Sequence, residues 1–195
     1  MGDSLNSKPI FYDSDFLICF LEIGEVELLF NLFSKIIVPS PVYNELTTKK
    51  SPSLVKNTLN KLIDQNKVEV RELEFHSPEY TKYLCINKGY WTNGKAIGMG
   101  ESSAMALAIE NNGIVASNNL NDIFEICNQF DVPIVTVSIV LSKLYELNYI
   151  SKKEAELLWL KIIKKNQILP KKDFITYYDE LYDEDIDKLL KNCSL

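Results

Sequence analysis

Histidine is almost absent from this sequence, since a single one, His76, occurs among 195 residues. One histidine cannot supply the several imidazoles of a typical zinc site, and a Ser-His-Asp triad would depend on it alone. His76 stands directly before Ser77 and Pro78, where the simplest interpretation is a loop residue. Histidine-based chemistry is therefore disfavoured.

Paired cysteines are missing as well. The four cysteines are scattered without a CxxC spacing: Cys19, Cys85, Cys127 and Cys193. Cys19 and Cys127 lie among apolar residues and are predicted to be buried free thiols. This usage fits a reducing cytoplasm and argues against a disulfide framework or a zinc site.

Long apolar runs and a positive net charge are also lacking. No run approaches the roughly 18 residues that span a bilayer, and residues 1–10 do not have the basic-then-apolar pattern of a secretory signal. We therefore expect no membrane partner. The net charge of −6 excludes a globally basic nucleic-acid-binding protein, although it leaves room for a local basic patch. The 46% hydrophobic and 25% charged content is typical of one globular domain.

Short apolar runs that end at polar residues alternate with amphipathic segments. The predicted strands are Ile10–Tyr12, Ile36–Val38, Lys67–Phe75, Gly113–Ala116 and Val132–Val137. The third alternates polar and apolar residues and is predicted to be an edge strand. Strands that alternate with helices predict a three-layer α/β/α fold around a mostly parallel sheet of four or five strands.

The composition changes near residue 172. Residues 152–172 contain seven lysines and two acids, whereas residues 173–187 contain seven acids and no basic residue. We predict a main domain over residues 1–172 and an acidic C-terminal tail or helix over residues 173–195. A capping box at Ser151 and Glu154 begins a helix whose apolar stripe indicates core packing.

Acidic and polar side chains recur where the predicted strands end. Asp13 follows the first strand, Glu45 lies in the helix after the second, and Glu101 opens a helix of its own. The segment Ser117–Asp122 follows the strand that ends at Ala116. Because parallel strands collect their carboxyl ends at one edge of a sheet, we expect these groups to converge.

Converging carboxylates repel one another unless a positive charge intervenes. A hard divalent cation, Mg²⁺ or Mn²⁺, prefers such oxygen ligands. It can also activate a water for attack on a phosphodiester, so that no nucleophilic side chain is needed.

Simpler interpretations of the same residues stay open at this point. Asp13 could be a turn residue, and Glu45 and Glu101 could be solvated acids favoured by the helix dipole. Asn119 and Asp122 could serve only to cap a helix. The lysines after residue 151 could form a solvated helix face.

Four segments of the chain resemble motifs of the PIN-domain family, the nucleases that include VapC-type toxins. They are Tyr12-Asp13-Ser14-Asp15, Val42-Tyr43-Asn44-Glu45-Leu46, Gly100-Glu101-Ser102-Ser103-Ala104, and Ala116-Ser117-Asn118-Asn119-Leu120-Asn121-Asp122-Ile123. They occur in the family's order, and the resemblance extends from Ile10 to about Pro170.

The resemblance implies a metal-ligand set at the catalytic centre: Asp13, Glu45, Glu101, and Asn119 or Asp122. Three neighbours would orient these ligands or bound water: Ser14, Asp15 and Ser117. Many family members have aspartate where this chain has Asn119. The resemblance then requires Asp15 or Asp122 to compensate for the missing charge.

The function implied is that of a metal-dependent endoribonuclease that cleaves RNA with a metal-activated water. The VapC-type members suggest the toxin of a toxin–antitoxin pair, with an antitoxin or another protein as partner. The candidates for RNA contact are Lys95, Lys161, Lys164 and Lys165. Apolar helices after Pro133 indicate a homodimer. The alternative is a catalytically weak or inactive PIN module that acts as an interaction or regulatory protein, which Asn119, the net acidity and the acidic tail favour.

Overall fold

Five short apolar strands form a parallel sheet in the computed structural model, which describes residues 8–191. They are β1 (Ile10–Tyr12), β2 (Ile36–Pro39), β3 (Val68–Arg71), β4 (Ile114–Ala116) and β5 (Ile134–Val135). The order across the sheet is β3-β2-β1-β4-β5, and every neighbouring pair is parallel. Cys193 lies outside the described residues, as do the first residues of the predicted domain (1–172) and the last residues of the predicted tail (173–195).

Helices cover both faces of this sheet, so the predicted α/β/α fold is confirmed. They are α1 (Ser14–Leu21), α2 (Ser40–Leu46), α3 (Ser53–Asp64), α4 (Pro78–Asn87), α5 (Met99–Glu110), α6 (Leu120–Gln129), α7 (Val137–Glu146), α8 (Lys152–Lys164), α9 (Phe174–Glu180) and α10 (Tyr182–Leu190). A 3-10 helix, Val26–Asn31, lies between α1 and β2.

The sheet order creates a switch point between β1 and β4. From β1 the chain proceeds outward to β2 and β3, and then returns to the other side of β1 for β4 and β5. The backbone amide of Asp13 donates to the carbonyl of Ala116 over 3.0 Å, which joins the carboxyl ends of the two strands. In open α/β sheets such a crevice is where ligands bind.

Helix α5 lies against the middle of the sheet and packs on β1, β2 and β4. Its residues from Gly100 to Ala108, apart from Glu101, are buried, and alanines at positions 104, 106 and 108 allow close approach to its neighbours. This packing fixes the start of α5, and therefore Glu101, beside the switch point.

Two predicted boundaries differ in an informative way. The strand predicted over Val132–Val137 is reduced to β5, because Thr136 already caps α7 by accepting a hydrogen bond from the Ile139 amide. The strand predicted over Lys67–Phe75 is also shorter, since β3 is confined to Val68–Arg71. β3 lies at the edge of the sheet, as its alternating sequence predicts.

The acidic C-terminal segment forms helices α9 and α10. They pack against α7, α8 and β5, and bury apolar side chains between their exposed acids. An aromatic cluster joins them to the domain through Tyr145, Trp159 and Phe174. The division predicted at residue 172 stays a prediction.

Candidate active site

Asp13 stands at the centre of the candidate site, at the end of β1. Its backbone is extended, and its Oδ1 accepts a hydrogen bond of 2.8 Å from the Phe16 amide, so it caps α1. The side chain is only 1% exposed, and Oδ2 has no hydrogen-bond partner in the described part of the chain. One oxygen is therefore committed to the fold, and the other is a buried acceptor without a donor.

The environment of Asp13 disfavours its charged form. Burial raises the pKa of its carboxyl from 3.8 to about 7, and the negative charges of Asp15 and Glu101 add to this effect. The nearby Ser117 hydroxyl, which forms no hydrogen bond with Oδ2, and the Phe16 amide oppose it by lowering the pKa. A cation would be needed to hold this carboxylate fully ionised near neutral pH.

Glu45 is exposed in α2 and is tied to the first turn of α1. Its Oε2 accepts a hydrogen bond of 3.0 Å from the Ser14 hydroxyl. A Cβ atom on Gly100 would lie 3.5 Å from the same oxygen and 3.6 Å from Ser14 Oγ. The start of α5 is therefore in close contact with the Ser14–Glu45 pair.

Asn119 joins two carboxylates from different elements. Its Nδ2 donates over 3.2 Å to Glu101 Oε1 in α5 and over 2.8 Å to Asp122 Oδ2 in α6. Although Asn119 precedes α6, its side chain makes no capping hydrogen bond to the helix. The simple capping interpretation of Asn119 is therefore wrong, and its amide acts as a neutral bridge between acids.

Lys95 supplies a positive charge to the same group. Its ammonium lies 2.5 Å from Asp122 Oδ1 and also donates to the Asn121 carbonyl over 3.4 Å. Hydrogen bonds from Lys95 and Asn119 lower the pKa of Asp122, with the lysine as the larger cause. The loop that carries Lys95 is held by Trp91, whose ring packs 4.8 Å from that of Phe130.

Asp15 and Ser117 lie beside these carboxylates. Asp15 is exposed in the first turn of α1, and its pKa is raised by partial desolvation and then by the charges of Glu101 and Asp122. Ser117 is buried, and its hydroxyl accepts a hydrogen bond of 3.1 Å from the backbone amide of Asn119. This bond stabilises the turn into α6.

The structure thus brings one group of predicted residues together and leaves another apart. Around the switch point lie eight predicted site residues together with a lysine: Asp13, Ser14, Asp15, Glu45, Lys95, Glu101, Ser117, Asn119 and Asp122. Lys161 instead pairs with Glu25 over 3.0 Å, whereas Lys164 and Lys165 are exposed at the end of α8.

Comparison of the sequence with profiles of known protein families identifies the family. The family profile described as a PIN domain matches residues 9–173. The chain belongs to the PIN-domain family. No curated protein matches the sequence.

Among solved structures, this PIN domain is similar to FitAB bound to an IR36 DNA fragment, with 16% identity and a TM-score of 0.42. That match covers 65% of this chain and 94% of the other. It is also similar to FitAcB from Neisseria gonorrhoeae, with 18% identity, a TM-score of 0.42, and coverage of 65% and 96% of the two chains. No helix within residues 8–191 combines the length and apolarity needed to cross a membrane.

The donor set of this PIN domain fits a hard divalent cation in its chemistry. The groups are carboxylate oxygens from separate elements, and Asp13 Oδ2 is a buried oxygen still without a donor. Across residues 8–191, no three His, Cys, Asp or Glu side chains lie close enough together to hold an ion. In this arrangement the Asn119 side-chain amide donates to Glu101 and Asp122, and the Lys95 ammonium pairs with Asp122.

One glycine that shapes this site was not predicted from the sequence. A Cβ atom on Gly98 would lie 2.3 Å from Glu101 Oε2, so the absence of a side chain there makes room for that carboxylate. A Cβ atom on Gly100 would make only ordinary contacts, with Glu45 Oε2 at 3.5 Å. The position of Gly98 three residues before Glu101 was the signal that could have revealed it.

Proposed function

We propose that this PIN domain is a metal-dependent endoribonuclease. The observation that supports this most is the buried Asp13 carboxyl, whose Oδ2 lacks a partner and whose pKa is raised to about 7 beside further acids. Such an arrangement is unfavourable for folding alone and is typical of a site built for a ligand. Membership of the PIN-domain family supports the same function.

Mg²⁺ or Mn²⁺, when bound, would supply a water of lowered pKa and neutralise charge that develops on the phosphodiester. The residues that would hold the ion are Asp13, Glu45, Glu101 and Asp122. The side-chain carbonyl oxygen of Asn119 would be a neutral ligand. Ser14 orients the Glu45 carboxylate through its hydrogen bond. Ser117 fixes the turn that presents Asn119.

The RNA strand would approach from the end of α8. Lys164 and Lys165 are exposed there and form no ion pair with the described residues. Lys95 and Lys161 are engaged with Asp122 and Glu25. We therefore assign phosphate contact first to Lys164 and Lys165.

For the biological role, we propose a toxin of a toxin–antitoxin pair that acts in the cytoplasm. The family resemblance and the free Cys19, Cys85 and Cys127 support this proposal. A homodimer would use the apolar side chains exposed on and after α7 and on α8, of which Leu147, Tyr149 and Leu157 are about half exposed. An antitoxin or a second copy of the chain would cover these side chains.

The second candidate is a PIN module without catalysis, which would act as an interaction or regulatory protein. The contacts of Asn119 and Lys95 favour it, because they satisfy Glu101 and Asp122 without an ion. Calorimetric titration with Mn²⁺ separates the two functions. A module of this second kind would bind no ion at the acidic site, or would bind one without any cleavage of RNA.

The test of the nuclease is cleavage of a labelled single-stranded RNA with and without Mn²⁺. Wild type should cleave only with the ion, and Asp13→Asn should lower the rate by about a hundredfold or more. The matched control is Asp64→Asn, an exposed acid in α3, which should cleave like wild type. Equal rates for wild type and Asp13→Asn would reject the proposal.

A further inference from the structure

A polar pocket lies directly beside the acidic site. It has a volume of about 400 Å³, and its walls come from Asp15, residues 118–121 and residues 166–168. Five side-chain amides line it: Asn118, Asn119, Asn121, Asn166 and Gln167. Neither the candidate metal ligands nor the core explains so many amides in one place.

Two of these amides are occupied by the fold. Asn118 Oδ1 accepts a hydrogen bond of 3.0 Å from the Val137 amide, which ties β4 to α7. Asn119 donates to Glu101 and Asp122. They line the pocket, but hydrogen bonds within the fold already engage their side chains.

The other three amides are available. The side chains of Asn121, Asn166 and Gln167 make no hydrogen bond with any other described residue, and Asn121 and Asn166 are exposed. Each offers both a donor and an acceptor. Ile168, at the edge of the pocket, is 90% exposed and offers an apolar surface.

The chemistry of the pocket excludes several ligands. No lysine or arginine lines it, so it lacks the positive charge that phosphate requires, and amides with the single carboxylate of Asp15 are a poor ligand set for a metal. Its polar walls do not suit a purely apolar molecule. A flat ligand that has hydrogen-bond donors and acceptors on its edge and an apolar face fits all these features, and a nucleobase has that description.

We propose that this pocket binds one unstacked base of the RNA and gives the enzyme a base preference. Asn121, Asn166 and Gln167 read the edge of the base, and Ile168 packs against its face. The base belongs to a nucleotide adjacent to the cleaved phosphate, because Asp15 and Asn119 line both the pocket and the acidic site. Lys164 and Lys165, directly before Asn166, contact the neighbouring backbone phosphates. The placement relative to the cleaved bond rests on the proposed nuclease function, whereas binding of a base does not.

The test is titration of the ¹⁵N-labelled protein with AMP, CMP, GMP and UMP, without divalent ions. The expected result is that one nucleotide binds at least about fivefold tighter than the weakest, because a matching base edge forms hydrogen bonds with the amides that the other bases cannot form. The same nucleotide should shift the side-chain NH₂ resonances of Asn121 and Gln167. Equal affinities, or shifts confined to other parts of the chain, would overturn the proposal.

Two variants with matched controls locate the effect. Asn121→Leu and Gln167→Met keep the size of each side chain but remove its hydrogen bonds, and each should reduce the preference at least about threefold. Asn128→Leu and Gln129→Met, at exposed positions of α6 outside the pocket, should leave it unchanged. Asn166 is not replaced, because its positive φ of 61° would strain most other residues.

Cleavage assays on the same variants separate this inference from the nuclease proposal. Selective binding of one nucleotide without any RNA cleavage would leave the pocket established and the nuclease function rejected. Metal-dependent cleavage by a protein that binds the four nucleotides equally would reject the pocket and leave the nuclease function standing.

Discussion

At the scale of single residues, Asp13 combines two tasks in one side chain. Its Oδ1 caps α1, which stabilises the fold, while Oδ2 remains buried without a donor. The raised pKa makes this residue the main source of pH dependence expected at the site.

The stability of the metal-free protein should therefore fall as the pH rises. The folded state keeps a proton on Asp13 up to about pH 7, whereas the unfolded chain loses it near 3.8. Between these two pH values the folded state therefore holds one more proton than the unfolded chain. The stability that this protonated carboxyl contributes is lost as the pH rises through the folded pKa. In EDTA, the free energy of unfolding should drop by about 2–3 kcal/mol more between pH 5 and pH 8 for wild type than for Asp13→Asn. Urea denaturation at both pH values measures this. An equal change in the free energy of unfolding for the two proteins would contradict it.

Asn119 should stabilise the metal-free fold at the expense of affinity for the metal. Asn119→Asp removes the two donations to Glu101 and Asp122 and adds a third negative charge. We expect the metal-free protein to lose about 1–3 kcal/mol of stability. We also expect its affinity for Mn²⁺ to rise by about tenfold, the equivalent of 1.4 kcal/mol.

Denaturation in EDTA and calorimetry with Mn²⁺ measure the two effects of Asn119→Asp. Asn128→Asp, an exposed position in the same helix, serves as the control for added charge and should show neither effect. An Asn119→Asp protein of unchanged stability and affinity would show that this position does not face the ion.

At the scale of elements, the start of α5 determines where Glu101 lies. Gly98 leaves the space into which the carboxylate of Glu101 extends. The helix itself is anchored by its buried, alanine-rich body against the sheet. A side chain at Gly98 therefore moves the Glu101 carboxylate without unfolding the helix.

Gly98→Ala should impair metal binding but not folding. The new Cβ would lie 2.3 Å from Glu101 Oε2, so this flexible carboxylate must move, while the φ of −54° suits alanine. We expect the affinity for Mn²⁺ to fall by about tenfold with an unchanged melting temperature. Gly100→Ala is the matched control, because its nearest neighbour would be at 3.4 Å, an ordinary contact. Equal Mn²⁺ affinities of the two variants would disprove this role of Gly98.

Most elements could be predicted from the sequence because apolar runs and caps act locally. The Ser151–Glu154 capping box is present as predicted, and Asp13 ends its strand. The contacts of Lys95 and Asn119 could not be predicted, because they depend on the path of the loop after α4. That path is set by distant packing such as that of Trp91 on Phe130.

At the scale of the whole molecule, parallel strand order gathers residues that are distant in sequence. Asp13, Glu101 and Asn119 meet because β1 and β4 are neighbours at the switch point. The convergence could be predicted from strand ends alone. The neutral bridge and the lysine among the acids required the three-dimensional structure.

The C-terminal helices illustrate how composition can conceal packing. The acids of residues 173–187 dominate the sequence pattern, yet Phe174 and Tyr177 in α9 and Leu189 in α10 are almost fully buried. Phe174 and Tyr177 are three residues apart and therefore lie on one face of α9. We therefore expect α9 and α10 to contribute to the stability of the whole described domain.

Phe174→Ala should destabilise the protein by about 3–5 kcal/mol, the usual cost of removing a buried aromatic ring. Its ring is fully buried and packs 5.6 Å from Tyr145 and 5.9 Å from Trp159. Phe75→Ala is the matched control, since Phe75 is 69% exposed, and it should change stability by less than about 0.5 kcal/mol. Thermal and urea denaturation measure both, and a similar small effect for both would argue that α9 detaches freely.

The most direct test of the central claim is a crystal of the wild-type protein soaked in MnCl₂ and measured at the manganese absorption edge. We expect one anomalous peak at about 2 Å from oxygens of Asp13 and of at least one of Glu45, Glu101 and Asp122. The Lys95 ammonium would be displaced from Asp122. A saturated soak without a peak at these oxygens, or with manganese only elsewhere on the surface, would contradict it.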